Sequence, residues 1–336
     1  MKTFLFTFFA ICQLPITAEP VKLIFDTDMG NDIDDAQALA MIHALQDRGV
    51  VDLLAVTSTK DDPLSAPYID ALNTFYGRPD IPIGAVKDGV TPGAGKYLGI
   101  ARRKDDSGQL VYPHDLKSGA DAMEAVALIR KTLAAQPDGS VVIAQVGFFT
   151  NLVRLIDSKP DEYSPLTGEE LIRKKGKQLG VMAGAFTTIR GNEHYCEFNV
   201  VKDIPSAQTL ADQWPGKINW SGFKIGISAT YPNESIQNDY DYVADHLIKE
   251  SYLAYCREGE HRPTWDLTTV LQLVYPDRGY FGLSEEGTVT VEKDGFTVFK
   301  GEGGKHRYLM MDEKQSIRVK EAFAQLCSAP PSGLTK

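Results

Sequence analysis

Cysteine and histidine are scarce in this 336-residue chain, with four and six residues respectively. No CxxC pair and no His/Cys cluster at zinc-ligand spacing occurs, so the linear sequence carries no structural zinc motif. Cys12 falls in an N-terminal leader, which leaves Cys196, Cys256 and Cys327, an odd number at wide spacing that fits free thiols or at most one disulfide. Positive charge is also in deficit. Lysine plus arginine number 35 against 45 acids, giving a formal net charge of −10 and a pI near 5.2. That balance argues against nucleic acid or an anionic membrane surface as the main partner. Beyond the first 20 residues no apolar run reaches membrane length, and there is neither an internal repeat nor a low-complexity segment.

What is present begins with "MKTFLFTFFAICQLPITAEP": a lysine, an apolar stretch of about a dozen residues, and small residues near Thr17–Ala18. This is a signal-peptide pattern over residues 1–18. It predicts export to a periplasm or the extracellular space, with a mature chain from Glu19 and no membrane attachment once the signal is removed. The remainder, 43% hydrophobic overall, can bury a sizeable core. It reads as a single domain over 19–336.

Apolar β-rich runs alternate with helical patterns. Strands are expected at 21–25, 52–57, 141–146, 178–182 and 223–227. Helices are expected at 34–47, 65–76, 118–135, 204–213, 241–255 and 264–274. Alternation of this kind predicts an α/β fold with an open, mainly parallel, Rossmann-like sheet covered by helices on both faces. The stretches 87–115 and 160–177 read as surface loops. "GTVTVEKDGFTVF" reads as a C-terminal β-hairpin turning at 293–295, with a last helix near 314–326.

The informative segment is "VKLIFDTDMGNDIDDAQALAMIHAL", residues 21 to 45. It crowds Asp26, Asp28, Asp32, Asp34 and Asp35 into ten positions between a strand and a helix. Open α/β sheets bind ligands at the carboxyl ends of their strands. Helix N-capping accounts for Asp34 or Asp35, but not for Asp26 and Asp28 on the strand side. A hard divalent cation held by oxygen atoms neutralises such a cluster. An EF-hand does not fit, because the ligand spacing fails and Gln37 stands where the closing glutamate belongs. A strand ending in Asp-x-Asp also raises a haloacid-dehalogenase phosphotransferase reading. Asn31 after Gly30, and the lack of that pattern's later elements, weigh against it.

"DTDMGNDIDDA" resembles the signature of the nucleoside hydrolases, the inosine–uridine-preferring N-ribohydrolases. Three further stretches resemble that family in the right order: "VGFFTNL" (146–152), "MAGAFTTIRGNEHYCEFNVVKDIPSA" (182–207) and "TWDLTTVL" (264–271). The likeness runs from about 21 to 275.

The resemblance implies a Ca2+ enzyme that hydrolyses the N-glycosidic bond of ribonucleosides to free base and ribose, with a metal-bound water as nucleophile and no organic cofactor. By resemblance, Asp28, Asp35, Asp266 and the carbonyl of Thr150 bind the metal, and Asp28 is also the general base. Asp34 is implied to hold the ribose 2′- and 3′-hydroxyls, with Asp26 supporting the site from behind. Asn192, Glu197 and Asn199 are implied to hold sugar hydroxyls, and Met182 to line the pocket. The partner is a small-molecule nucleoside, and family members are usually homodimers or homotetramers.

Three departures from the family pattern stand out. The aspartate loop is two residues longer, which leaves Asp32 as a rival to Asp34. Asp62, or Asp61, stands in place of an asparagine on the 2′-hydroxyl; a carboxylate accepts from a hydroxyl but does not donate as an amide does. Trp265 replaces the histidine that protonates the leaving base in nonspecific members, and it points to purine nucleosides held by stacking. His114 or His194 is an alternative proton source. Two other readings stay open: hydrolysis of another N-ribosyl compound, and a non-catalytic calcium-dependent ribose- or nucleoside-binding protein.

Overall fold

Strand β1 (Val21–Thr27) is the axis of the molecule, and in the computed structural model, which describes residues 19–334, it lies between two parallel neighbours. Its run VKLIF suits a central strand, because both faces are covered and successive side chains enter opposite cores. Leu23 and Phe25 join the cluster on one face, Ile24 the cluster on the other.

The remaining strands are β2 (Val51–Ser58), β3 (Ile83–Ala85), β4 (Met123–Glu124), β5 (Val141–Gln145), β6 (Gly176–Met182), β7 (Ile218–Ser221), β8 (Gly282–Leu283), β9 (Gly287–Val291), β10 (Thr297–Gly301) and β11 (His306–Met310). They form one sheet in the order β10-β9-β11-β7-β6-β5-β1-β2-β3-β4, with β8 paired to β11. From β4 to β7, and on to β11, the pairing is parallel; β8, β9 and β10 add antiparallel pairs at one end. The chain runs outward from β1 through β2, β3 and β4, then returns to β5 on its other side. The order therefore reverses between β1 and β5, and their carboxyl ends open the crevice where such sheets bind ligands.

The helix that follows β1, Asp34–Asp47, is buried from Asp34 through Leu45. "ALAMIHAL" has no polar face because the helix sits between the sheet and the helices Asp266–Val274 and Glu313–Cys327. Among the described residues no helix is long and apolar enough to cross a membrane. The signal-peptide reading falls on residues 1–18, outside those described.

Several expected elements differ. Residues 223–227 form part of a helix, Phe223–Ser228, and the strand lies just before it. Five residues of alternating pattern do not distinguish strand from short helix; the pairing of Leu179–Met182 with Ile218–Ser221 decides, burying Trp220 in the core. The stretch 160–177 is not all loop. It holds the helix Gly168–Lys175, opened by a capping box between Thr167 and Glu170 that the sequence displays as T-x-x-E. The pattern at 241–255 is helical only over Leu247–Tyr255, capped by His246. The hairpin turn falls where expected, with Glu292 N–H bonded to Phe296 O and Gly295 at φ 89°. Cys196, Cys256 and Cys327 are all free thiols.

Candidate active site

At the carboxyl end of β1, Asp26 is fully buried between Thr57 of β2 and Gln145 of β5. Its Oδ1 accepts from Thr57 Oγ1 at 2.5 Å and from Asn151 Nδ2 at 2.8 Å, while Oδ2 has no partner. Burial pushes this carboxyl up to about 7. It braces the strand end rather than lining the cavity.

The cavity in front of it, about 490 Å³, is lined by Asp28, Asp34, Asp35, Asp266, Glu197 and Asn199, with Met182 and Trp265 further along its wall. The loop after β1 delivers Asp28, whose Oδ2 accepts from Asn31 Nδ2 at 2.7 Å. Lys60 Nζ in turn holds Asn31 Oδ1 at 2.8 Å. Gly147, after β5, is obligatory here: a Cβ would stand 2.5 Å from the Asp28 nitrogen. Burial pushes Asp28 up to about 6.

Asp34 and Asp35 open their helix, and Asp266 opens the helix Asp266–Val274 that packs beside it. Oxygen atoms of the three carboxylates lie within 4.8 Å of one another. Asp34 Oδ2 accepts from the backbone N–H groups of Trp265 at 2.7 Å and Asp266 at 3.2 Å. Asp35 accepts from Thr27 Oγ1 through one oxygen, while its Oδ2 is buried without a partner. Burial, then the neighbouring acids, hold Asp34, Asp35 and Asp266 well above the usual carboxylate range. A hard divalent cation fits this donor set: it would take the orphaned oxygen and neutralise charges that no lysine or arginine reaches directly. Asp28 lines the same cavity, though the tight group consists of Asp34, Asp35 and Asp266.

Opposite, β6 ends at Met182, and Glu197 caps the helix Phe198–Lys202. Glu197 accepts from the N–H groups of Asn199 at 2.9 Å and of Gly184 and Val200 at 3.2 Å. Burial pushes it up to about 7. Asn199 Nδ2 donates to Val146 O and Met182 O, locking its amide across the ends of β5 and β6. Thr150 opens the helix after β5; its Oγ1 donates to Asp203 Oδ2 at 2.7 Å.

Trp265 forms the far wall with Phe223, ring centroids 5.3 Å apart, and donates its indole N–H to Phe223 O at 3.0 Å. Gly226 makes room for it, since a Cβ would come within 1.9 Å of the indole.

Asp32 lines the cavity too, and the remaining sequence-derived candidates stand outside it. Asp32 is held by Arg262 in a two-pronged ion pair, with Nε donating to Oδ1 at 3.1 Å. Asp62 caps its own loop, accepting from Leu64 N–H at 2.8 Å and Gly95 N–H at 2.7 Å, and Asp61 accepts from Gly89 N–H. Neither is among the cavity's lining residues. Asn192 is exposed, in a turn bonded both ways to Ile189, and accepts from His194 N–H. His114 bonds Tyr112 O, and His194 pairs with Asp294 at the surface. Among the described residues no histidine lines the cavity.

Sequence reasoning missed Asn31, Lys96, Phe223, Tyr255 and Arg262, all of which line it. Asn31 lay inside the quoted aspartate loop. The others come from segments without a local signal, and Arg262 stacks over both Tyr255 and Trp265.

Residues 23–323 match the family described as inosine-uridine preferring nucleoside hydrolase. An uncharacterised protein of Schizosaccharomyces pombe is 27% identical over 207 residues, which is 56% of this chain and 57% of that relative's length. Among solved structures, a plant nucleoside hydrolase superposes with a TM-score of 0.68 at 20% identity, covering 93% of this chain and 100% of its own. The inosine-uridine preferring nucleoside hydrolase of Bacillus anthracis gives 0.66 at 16%, covering 91% and 99%. A purine-preferring ribonucleoside hydrolase of Gardnerella vaginalis gives 0.67 at 16%, also covering 91% and 99%. At these identities the structures share the fold, and the family match extends it to lineage. The chain belongs to the inosine-uridine preferring nucleoside hydrolase family, a family of N-glycosidic bond hydrolases.

Proposed function

We propose that this protein hydrolyses the N-glycosidic bond of ribonucleosides, purine nucleosides foremost, to free base and ribose with Ca2+ as its metal. The observation that carries this reading is the buried group of Asp34, Asp35 and Asp266, with Asp28 in the same cavity and Asp35 Oδ2 unpartnered. Asp28, Asp35 and Asp266 would hold the cation, with the Thr150 carbonyl as the further ligand implied by family resemblance, and Asp34 beside them would hold the ribose 2′- and 3′-hydroxyls. When bound, calcium supplies positive charge that lowers the pKa of water and gathers oxygen ligands.

The chain's own residues do the rest. Asp28, its Oδ2 held by Asn31, takes the proton from the attacking water. Glu197 and Asn199, fixed by backbone bonds, receive sugar hydroxyls and orient the ribose. As the base departs the sugar gains oxocarbenium-like charge. A cavity walled by carboxylates favours that charge over the neutral ground state. Trp265 and Phe223 offer aromatic faces to the departing base, which supports a purine. Lys96 and Arg262 beside them favour leaving groups rich in acceptor atoms, so another N-riboside of that kind is the second reading. The N-terminal leader adds export to the proposal, and the family resemblance adds a homo-oligomeric state.

The test is ribose release from inosine, adenosine, guanosine, uridine and cytidine by the calcium-loaded protein, with a chelator control. The proposal expects purine turnover that the chelator removes. No turnover of any of the five by folded, calcium-loaded protein overturns the nucleoside assignment.

A further inference from the structure

Away from the cavity, the loop between β6 and the helix Phe198–Lys202 meets the tip of the β9–β10 hairpin. His194 and Cys196 lie on the loop and Asp294 on the tip, and the imidazole, thiol and carboxylate each present an atom within 4.8 Å of the others.

The three groups are oriented by their surroundings. Asn192 Oδ1 accepts from His194 N–H at 2.9 Å. The His194 ring stacks on Phe296, centroids 4.1 Å apart and 18° from parallel. Asp294 accepts Phe296 N–H through Oδ1, which leaves Oδ2 on His194 Nε2 at 2.7 Å. Cys196 is a free, half-buried thiol. None of the three lines the catalytic cavity.

We propose that His194, Cys196 and Asp294 form a surface site for a divalent transition-metal ion of the Zn2+ or Co2+ type, distinct from the calcium cluster. The donor set is one sulfur, one nitrogen and one oxygen. Thiolate and imidazole select Zn2+, Co2+ or Cu2+ and discriminate against Ca2+ and Mg2+. With bonds of about 2.0–2.3 Å to each atom, the ligands of a tetrahedral ion sit roughly 3.5 Å apart. The group therefore closes on an ion by small side-chain movements, with the N···O pair opening and water in the fourth position. Binding releases the thiol proton, so affinity rises with pH.

The ion would reinforce the link that His194 already makes from the loop to Asp294 and Phe296 of the hairpin. A separate tie is Thr297 Oγ1, which accepts from Ala185 N–H at 2.9 Å and donates to Ala185 O at 3.1 Å. Glu197, the cap beside the active cavity, follows Cys196 directly.

The experiment is a Co2+ titration of the metal-free, reduced protein in excess Ca2+, so that the carboxylate cluster is already filled. Thiolate ligation gives a ligand-to-metal charge-transfer band that an all-oxygen site lacks. The site predicts one such band per chain, displaced by Zn2+, lost in Cys196→Ser, weakened in His194→Ala and Asp294→Ala, and unchanged in Cys256→Ser. Zn2+ should raise the thermal midpoint of the wild type but not of Cys196→Ser. No band in folded protein, or a band that survives Cys196→Ser, overturns the proposal. Because the readout is spectroscopic, it stands or falls independently of the nucleosidase reading.

Discussion

Asp34 Oδ2 accepts the backbone N–H of Trp265 at 2.7 Å, joining two residues 231 positions apart. One carboxylate thereby caps the helix that presents Asp266 while standing within the carboxylate cluster. Helix capping and charge clustering in the same side chain give distinct expectations for two substitutions.

Asp34→Asn keeps an acceptor for both N–H groups and removes a buried negative charge. Asp34→Ala loses the cap as well, at a cost of about 1 kcal/mol. In the metal-free state Asp34→Asn should be at least as stable as the wild type, and Asp34→Ala less stable than Asp34→Asn. Chemical denaturation of all three in chelator measures this. Both variants should bind calcium more weakly than the wild type.

The buried acids should make the metal-free protein less stable as pH rises. Asp26 and Glu197 are pushed up to about 7 and Asp28 to about 6, all by burial. The folded chain keeps protons that the unfolded chain releases above about pH 4. The stability these groups contribute is full below that point and is lost as pH rises through about 6 to 7. Chelated protein should therefore melt at a higher temperature near pH 5.5 than near pH 8, and calcium should raise the midpoint chiefly at the higher pH. Thermal scans at the two pH values, with and without calcium, provide the comparison.

Gly226 is the clearance for the indole of Trp265. Gly226→Ala should push Trp265 off its seat against Phe223, with about 1–3 kcal/mol of overpacking strain. Under the stacking role, KM for inosine should rise more than KM for uridine. Trp265→Ala should show the same split without the strain. Equal effects on both substrates would remove the base-stacking role.

The legible part of the site was the part carried by local order. Asp26, Asp28, Asp34 and Asp35 stand between an apolar strand and an apolar helix, so their position at a strand end follows from the flanking segments. Asp266 at a helix start was visible for the same reason. Asp62 and Asn192 were not, because their backbone bonds are set by loop conformation. Arg262 was hidden for a different reason: its partner Asp32 lies 230 residues away, and only the fold brings them together. The fold followed the same division. The parallel core was readable from its apolar runs, whereas β3 and β11 are short and depend on pairing with a neighbour.

Hydrolysis in this carboxylate-lined cavity, with Asp28 as base, makes turnover depend on the Asp28 carboxylate. The most direct measurement is ribose release from inosine by wild-type and Asp28→Asn protein, both folded and with calcium occupancy verified by titration. Turnover by the wild type and a loss of about 100-fold or more in kcat for Asp28→Asn are expected. A calcium-loaded Asp28→Asn enzyme that keeps wild-type kcat would contradict that dependence.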